Sequence, residues 1–286
     1  MGQPLSLFGM SPQREPEYTL GEMLAYNLAL ALRDDDVALT GANNALPIAA
    51  CRLAQLTHAP NLTFIGGGSG AINSLVEPLA PSSCDYSYLA AEATIALPDL
   101  IALQGRPDFV TVFFAGGMQV DQYGNCNLSS IGPDWQRPTL RGPGAASLPF
   151  MARFGRTIIY LTAHTTRIFV TKVDFRTGPG FLSGPEEYAD ARVNIHTPQG
   201  TFPRPTPLTS TGPALVATPL ALLDFDPASK RMRLRSLHPG VTAAQVQQNT
   251  GFNLLIPAEV PTTPIPPPEI VRQLRAFDTE RLLHKL

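Results

Sequence analysis

Amide and carboxylate side chains are concentrated in the stretch AGGMQVDQYGNCNLSS, residues 115–130, which follows an apolar segment. Five polar residues of this stretch occupy positions of one parity: Gln119, Asp121, Asn125, Asn127 and Ser129. Because a solvated loop does not need this density of polar groups, we predict that Gln119 and Asp121 shape a ligand site and that Asn125 helps to bind the ligand. The alternative is structural: a hydrogen-bond network at a strand end, in which the asparagines fix a tight turn around Gly124.

Three glycine clusters offer a second kind of chemistry, because glycine lets the backbone approach a ligand and point N–H groups at an anion or a carbonyl oxygen. They are Gly66–Gly70, Gly116-Gly117 and RGPGAA at residues 141–146. We predict that Gly66 and Gly67, with Gln119, stabilise an oxyanion, and that other glycines bind the ligand: Gly68, Gly116, Gly117, Gly142 and Gly144. The first cluster is not a P-loop, since no Lys-Ser/Thr follows it. A permissive turn is the alternative for each cluster.

Two arginines near the third cluster, Arg137 and Arg141, are candidates for binding a carboxylate or phosphate, which the planar guanidinium recognises well. A solvated surface position is the alternative for both. Histidine is a common general base, which makes His58 and His164 candidates, although His58 precedes a strand and fits a structural role better. Cys126 has no adjacent histidine, which favours a small buried residue over a nucleophile.

The elements that must position these residues alternate between helix and strand. A capping box at Thr19-Leu20-Gly21-Glu22 starts a helix to about Leu32. A second helix is predicted over Leu46–Leu56, with an Asn of residues 43–44 as its cap. Apolar strands are predicted at Val37–Thr40, Asn61–Ile65, Phe109–Phe114, Thr157–Leu161 and Ile168–Val170. This order predicts an α/β fold with a mostly parallel sheet. In such sheets ligands bind outside the carboxyl ends of the strands, where the glycine clusters fall.

The second half of the chain contains shorter elements. A capping box at Ser183-Gly184-Pro185-Glu186 predicts one short helix among loops, and another capping box at Thr242 predicts a second helix. Three late strands are predicted, with a hairpin turn at Asp226–Ser229: Leu215–Ala217, Leu220–Phe225 and Met232–Ser236. The predicted organisation is a flexible segment over residues 1–18, an α/β domain over 19–256, and a Pro-rich linker with a C-terminal helix over 257–286.

Composition excludes several classes of protein. Of 286 residues, 44% are hydrophobic, which is sufficient for a large core. The formal net charge is −2 and the sequence has no cluster of basic residues, which argues against nucleic-acid binding. No apolar run approaches the length of a membrane span, and the N-terminus does not read as a secretory signal. The three cysteines show no CxxC spacing, so we expect neither a disulfide framework nor a metal site. These features predict a soluble cytoplasmic protein.

The segment VDQYGNCN resembles the β subunit of family I coenzyme A transferases, especially the glutaconate CoA-transferase branch. Other segments agree: THAP at residues 57–60, KVDF at 172–175, TGPG at 177–180, SLHPGVT at 236–242 and TGF at 250–252. The resemblance spans roughly residues 19–278. It implies a three-layer α/β fold, an α-type partner subunit in a heterodimer or heterotetramer, and an active site at the subunit interface. It also implies a coenzyme A thioester as substrate and no permanently bound cofactor.

The chain departs from the family at the residue that performs the transfer. In true transferases a glutamate of an E-S/N-G motif, at the end of the second strand, attacks the acyl-CoA. Here Ile65 and Gly66 stand in its place: Ile65 aligns with the glutamate, and shifting the register by two gives Thr63 or Gly67. Isoleucine cannot perform covalent catalysis by a carboxylate. In the decarboxylase-like branch a cysteine lies near the lost glutamate, whereas here we expect only Gly66, Gly67 and Gly68.

This departure predicts a divergent enzyme subunit that catalyses C–C cleavage by hydrolysis, or decarboxylation, of an acyl-CoA. Family relatives that open a steroid-derived ring or decarboxylate a glutaconyl-type acyl-CoA provide precedents, although neither transfers directly. Two alternatives stay open: a genuine CoA transferase whose nucleophile is misaligned or supplied by the partner, and a non-catalytic subunit that binds acyl-CoA and completes the partner's site. The acid or base that the divergent chemistry needs can come from the partner.

Overall fold

The structure is a computed structural model that describes residues 17–41, 45–74, 77–193, 196–197, 200–201 and 206–285. Nearly all of the predicted N-terminal segment and the predicted Asn cap at residues 43–44 lie outside these ranges.

The secondary structure consists of six helices and eighteen strands in the described residues. The helices are α1 Leu20–Ala29, α2 Ala45–Thr57, α3 Leu97–Gln104, α4 Pro185–Asp190, α5 Ala243–Gln248 and α6 Pro268–Phe277. The strands are β1 Val37–Thr40, β2 Thr63–Gly66, β3 Ala71–Ser74, β4 Ala91–Thr94, β5 Val112–Ala115, β6 Gln119–Asp121, β7 Cys126–Asn127, β8 Ser130–Ile131, β9 Leu140–Arg141, β10 Arg156–Tyr160, β11 Phe169–Val170, β12 Arg192–Val193, β13 His196–Thr197, β14 Gly200–Thr201, β15 Thr206–Pro207, β16 Pro213–Ala217, β17 Ala221–Phe225 and β18 Met232–Leu237. Short 3₁₀ turns cover Tyr86–Leu89, Leu148–Ala152 and Leu282–Lys285.

One nine-stranded sheet organises the fold, in the order β18-β17-β16-β10-β5-β1-β2-β3-β4. Its five central strands, β16 to β2 in that order, pair in parallel. The outer pairs β17-β18 and β3-β4 join through antiparallel pairings. The predicted α/β class with a mostly parallel central sheet is confirmed.

Alternate residues of the strands build two apolar cores, one on each face of the sheet. Ala38 and Phe64 face a core formed with α1, α2 and α6. Their neighbours Leu39 and Ile65 face the other core, which is covered by the loop-rich segments between β5 and β16 and by α5. The fold therefore has three layers, but helices dominate only one of the outer two.

The C-terminal helix α6 is fastened to α1 through a buried carboxylate. The capping box is present as predicted, because Glu22 Oε2 accepts from Thr19 N at 2.7 Å and Thr19 Oγ1 accepts from Glu22 N at 3.2 Å. The Glu22 carboxylate, only 1% exposed, also receives Arg275 Nε at 2.7 Å. An ion pair in this position fixes the end of the chain against its beginning.

The predicted capping box at residues 183–186 is wrong in its register. The helix α4 begins at Pro185, and its N-cap is Gly184 with φ of +132° and no side-chain cap. This left-handed backbone favours glycine. The glutamate whose side chain accepts a backbone hydrogen bond at this helix start is Glu187, which accepts from Ser183 N at 2.8 Å. The sequence pattern also failed to predict β3, β4 and α3.

Candidate active site

A cavity of about 650 Å³ lies at the carboxyl ends of the parallel strands β1, β5 and β10. Its apolar side chains are Ile101, Phe113, Phe114, Met118, Leu128, Leu148 and Leu161. The other lining residues are the hydroxyl-bearing Thr40, Ser147, Tyr160 and Thr162 and the small residues Gly41, Gly67, Gly116, Gly117, Pro143 and Ala146. The cavity therefore lies at the strand ends where ligands bind in this class of sheet.

The cavity wall is neutral at physiological pH. Tyr160 is the single titratable side chain among the described lining residues, and burial raises its pKa to about 12. Thr40 is among the lining residues, but its Oγ1 is buried and has no hydrogen-bond partner in the described structure. Such a wall suits an uncharged polar group on an apolar chain, and provides no general acid or base of its own.

Two amides at the end of β5 are candidates for binding a carbonyl oxygen. Gly116 and Gly117 line the cavity beyond Ala115, the last paired residue of the strand. The backbone hydrogen bonds of the described loops include none donated by either glycine. Paired backbone N–H groups in a site that excludes water are well suited to stabilise a developing oxyanion.

The amides at the end of β2 have protein acceptors instead. Gly67 N donates to Thr40 O at 3.1 Å, and Gly68 N donates to Ser83 Oγ at 3.1 Å. Only Gly67 of the predicted Gly66–Gly68 loop lines the cavity. A side chain at Gly67 would overlap Thr40 O, so the close approach of the two strand ends requires glycine. This geometry disfavours the predicted oxyanion role of the Gly67 amide.

The segment after β3 brings a hydroxyl and a thiol to this glycine loop. Ser83 Oγ donates to Gly41 O at 3.0 Å while it accepts from Gly68, and Cys84 Sγ lies where a side chain on Gly68 would project. The Cys84 thiol is exposed. The expectation that this neighbourhood contains only glycines is wrong, because Cys84 reaches it through tertiary contact alone.

The side chain of Gln119 is held in a buried network. Its Oε1 accepts from Asn127 Nδ2 at 2.8 Å and from Asp174 N at 3.1 Å, and its Nε2 donates to Asp174 Oδ2 at 3.1 Å. Gln119 is not among the residues that line the cavity. These contacts favour a positioning role over direct contact with a ligand.

Asp121 and Asn125 fix the turn of the VDQYGNCN motif. Asp121 Oδ1 accepts from the amides of Tyr123 at 3.0 Å and Asn125 at 3.1 Å, and Asp121 Oδ2 accepts from Asn125 Nδ2 at 2.9 Å. Burial raises the pKa of the Asp121 carboxyl, although these hydrogen bonds oppose the shift. Asn125 Oδ1 also accepts from Gly180 N at 2.9 Å, which ties the turn to the TGPG segment.

The motif positions two sides of the cavity through its backbone. Asn127 O accepts from Met118 N at 2.7 Å next to Gly116-Gly117. Gly142 N donates to Ser129 O at 2.8 Å, and Gly144 N donates to Leu128 O at 3.3 Å. The predicted residues Gly142 and Gly144 thus flank the lining residue Pro143 with their amides engaged.

The remaining candidates lie apart from the cavity lining. Arg137 and Arg141 are exposed, and Arg141 Nη2 donates to Trp135 O at 2.9 Å. His164 is buried between Thr218 Oγ1 at 2.9 Å and Thr250 Oγ1 at 3.0 Å, and burial lowers its pKa to about 4. This neutral, fully bonded imidazole has a structural environment.

Two other candidates have structural environments as well. His58 bonds to Thr57 Oγ1 at 3.0 Å and Leu32 O at 3.2 Å, beyond the end of α2 and before β2 begins. Cys126 is buried, and burial raises its thiol pKa. Within the described ranges, no cluster of three or more His, Cys, Asp or Glu side chains could hold a metal ion, and no helix has the length and hydropathy of a membrane span.

Residues 22–249 match the family model described as coenzyme A transferase. The chain belongs to the coenzyme A transferase family. The resemblance found in the sequence is thereby confirmed, and the family assignment identifies the chain as an enzyme subunit.

Members of this family with different reactions are similar to the chain. The B subunit of 3-oxoadipate CoA-transferase from Pseudomonas knackmussii is 30% identical over 91% of this chain and 94% of that protein. The cholesterol ring-cleaving hydrolase IpdB subunit of Rhodococcus jostii is 31% identical over 80% of each chain.

Solved structures repeat this division. Glutaconate coenzyme A-transferase from Acidaminococcus fermentans superposes with a TM-score of 0.78 and 26% identity, covering 94% of this chain and 98% of that one. The decarboxylase AibA/AibB superposes with a TM-score of 0.75 and 25% identity, with the same coverage. The relatives thus include transferase, hydrolase and decarboxylase subunits on one fold.

Proposed function

We propose that this chain is the β subunit of a heteromeric enzyme that cleaves a C–C bond of an acyl-CoA, by hydrolysis or decarboxylation, without covalent transfer of coenzyme A through this chain. The observation that carries the proposal is the neutral cavity at the strand ends. It offers apolar walls and backbone amides, and no carboxylate is found among the described residues that line it.

The position aligned with the transferase glutamate supports this proposal. Ile65 is 1% exposed and packs in the core with Leu39 and Phe113. Its side chain contributes to packing, and no carboxylate replaces the missing nucleophile in Gly66–Gly68. Similarity to a ring-cleaving hydrolase subunit and to a decarboxylase is consistent with chemistry that does not need it.

In this proposal the cavity holds the acyl group and polarises its thioester. The carbonyl oxygen accepts hydrogen bonds from Gly116 and Gly117, while Phe113, Met118 and Leu128 exclude water from the acyl chain. Because Tyr160 is the single titratable side chain of the described wall, the acid and base come from an α-type partner subunit across the interface. Subunit pairing of the AibA/AibB kind supports this arrangement.

The test is a comparison of three reactions in the complex of this chain with its α-type subunit. The complex is incubated with an acyl-CoA and a labelled carboxylate, and we measure labelled acyl-CoA, hydrolytic ring or chain cleavage, and release of CO2. We expect cleavage or CO2 without label transfer. Label transfer together with a glutamyl thioester on this chain, detected by mass spectrometry, would sink the proposal.

The neutral wall also favours a second candidate, a non-catalytic subunit that binds acyl-CoA and completes the partner's site. Gly116→Val separates the two, because the added side chain enters the space near Tyr160 O, 3.8 Å from the Cβ position. Loss of turnover with acyl-CoA binding retained supports a direct role in catalysis. Equal losses of binding and turnover support the purely binding subunit.

A further inference from the structure

Three planar side chains form an exposed stack: one from the loop between β8 and β9, one from the end of β9 and one from the segment after β11. Trp135, the single tryptophan of the chain, is 51% exposed. Its ring stacks on Phe175 with centroids 4.6 Å apart and an interplanar angle of 26°. Arg141 Cζ lies 4.5 Å from the centroid of Trp135. We call Trp135, Phe175 and Arg141 the stacked platform.

The stacked platform is held in place by hydrogen bonds at its base. Arg141 Nη2 donates to Trp135 O at 2.9 Å, which fixes the guanidinium over the loop. Gly132 N donates to Asp174 Oδ2 at 2.9 Å, and the same carboxylate oxygen receives Gln119 Nε2. The exposed rings are therefore fastened to the buried motif, and a ligand that stacks there does not need to order them first.

Chain connectivity places the stacked platform beside the cavity. Pro143, which lines the cavity, follows Arg141 by two residues, so their Cα atoms are at most ~7 Å apart. Gly142 is tied to Ser129 O, which keeps this short connection against the cavity wall. The cavity wall and the stacked platform therefore share one short segment of the chain, residues 141–143.

The chemistry of this surface fits a purine nucleotide with several phosphates. Aromatic rings and guanidinium planes stack on bases, and arginine pairs with phosphate through its planar fork. Arg137, in the loop that precedes β9, is exposed, and no hydrogen bond or ion pair of its guanidinium is found in the described structure. The acid of the loop, Asp134, already accepts from Gln136 N at 2.8 Å.

We propose that the stacked platform binds the adenosine-phosphate end of the coenzyme A thioester, with the adenine extending the stack and the phosphates at Arg137 and Arg141. The assignment rests on the proposed function, since it places the nucleotide of the same acyl-CoA whose thioester occupies the cavity. The exposed, uncommitted Arg137 favours a phosphate ligand over burial of this surface in a subunit interface.

The experiment measures binding by calorimetry to the complex of this chain with its α-type subunit, using coenzyme A, adenosine 3′,5′-bisphosphate and pantetheine. We expect Trp135→Leu to weaken coenzyme A and the bisphosphate by roughly 5- to 150-fold, the range for loss of base stacking. Pantetheine, which lacks the nucleotide, keeps its affinity. Arg137→Gln weakens the bisphosphate, whereas the exposed control Arg272→Gln does not.

A second readout locates the nucleotide without depending on the Trp135 variant. 5-Fluorotryptophan incorporated into this chain gives one ¹⁹F resonance, because the chain has one tryptophan. We expect adenosine 3′,5′-bisphosphate to shift this resonance and pantetheine to leave it in place.

The outcomes separate this inference from the proposed function. If coenzyme A binds and Trp135→Leu leaves its affinity unchanged, the stacked platform is not its site, although the proposed function stands. If Trp135→Leu releases the α-type subunit, the surface is an interface and the assignment is overturned. If neither coenzyme A nor pantetheine binds to the wild-type complex, the proposed function fails and this inference with it.

Discussion

Replacing Asn127 with leucine tests whether the VDQYGNCN motif is a structural network. The Asn127 side chain is fully buried, and it acts both as a hydrogen-bond donor and as an acceptor. Its Nδ2 donates to Gln119 Oε1 at 2.8 Å and Ser130 O at 2.7 Å, and its Oδ1 accepts from Ser129 N at 3.0 Å. Leucine has a similar size and leaves these groups without their partner.

The expected loss follows from the groups that leucine leaves unpaired. Gln119 Oε1 keeps its bond from Asp174 N, so the two principal losses are at Ser129 N and Ser130 O, and the longer bond from Ser130 N to Asn127 Oδ1, 3.3 Å, is a weaker third. A buried polar group without a partner costs about 1–3 kcal/mol, so we expect the free energy of unfolding to fall by about 2–6 kcal/mol. For a chain of this size that lowers Tm by at least ~4 °C.

The assay is urea unfolding followed by circular dichroism, with Asn253→Leu as the matched control. Asn253 is exposed, and we expect this control to stay within ~0.5 kcal/mol of wild type. A double-mutant cycle with Gln119→Leu adds a coupling energy of about 0.5–3 kcal/mol if the two side chains share one network. An Asn127→Leu protein within ~1 kcal/mol of wild type, or a coupling near zero, would refute the network reasoning.

Gly116→Ala should fold normally, because its Cβ meets no atom closer than Tyr160 O at 3.8 Å. Gly117→Ala places a Cβ 3.0 Å from Gln119 O, so it should lower both Tm and acyl-CoA affinity. Equal effects of the two substitutions on Tm and affinity would contradict this prediction. The free energy of unfolding should decrease as the pH is lowered, because burial lowers the pKa of His164 from 6.5 to about 4. Between these values the unfolded chain binds a proton at His164 and the folded chain does not. The expected loss between pH 7 and pH 5 is roughly 2 kcal/mol, and urea midpoints should show a weaker pH dependence in His164→Gln than in wild type. Cys84 should react rapidly with a thiol reagent while the buried Cys51 and Cys126 stay protected, so titration of the folded chain should give one fast thiol rather than two or three.

Much of the fold could be predicted because its signals are local. The capping boxes at Thr19 and Thr242 start α1 and α5 as predicted, and the apolar runs became β1, β5 and β10, with ends that differ by up to three residues. Periodicity and capping act within a few residues, so sequence pattern is sufficient to find them. The box at residues 183–186 failed because the backbone at Gly184, rather than a side chain, sets where α4 begins.

The candidate site was predicted only in outline. The strand-end location and the importance of the VDQYGNCN segment followed from the order of elements and from its polar residues. The roles of individual residues did not, because they depend on partners distant in the chain. Gln119 bonds to Asp174 across 55 residues, and Gly68 meets the Ser83 hydroxyl across 15.

The sequence by itself determined the family, the parallel α/β architecture and the absence of a glutamate at the end of the second strand, since each is a matter of residue types in linear order. Only the tertiary structure decided which groups face the cavity. The Gly67 amide donates to Thr40 O of the neighbouring strand, whereas the amides of Gly116 and Gly117 lie beyond the end of β5. Packing decided that Ile65 faces the core. Alternate residues of a strand face opposite sides of the sheet, so a shift of one residue in register would move a side chain from the core face to the opposite face.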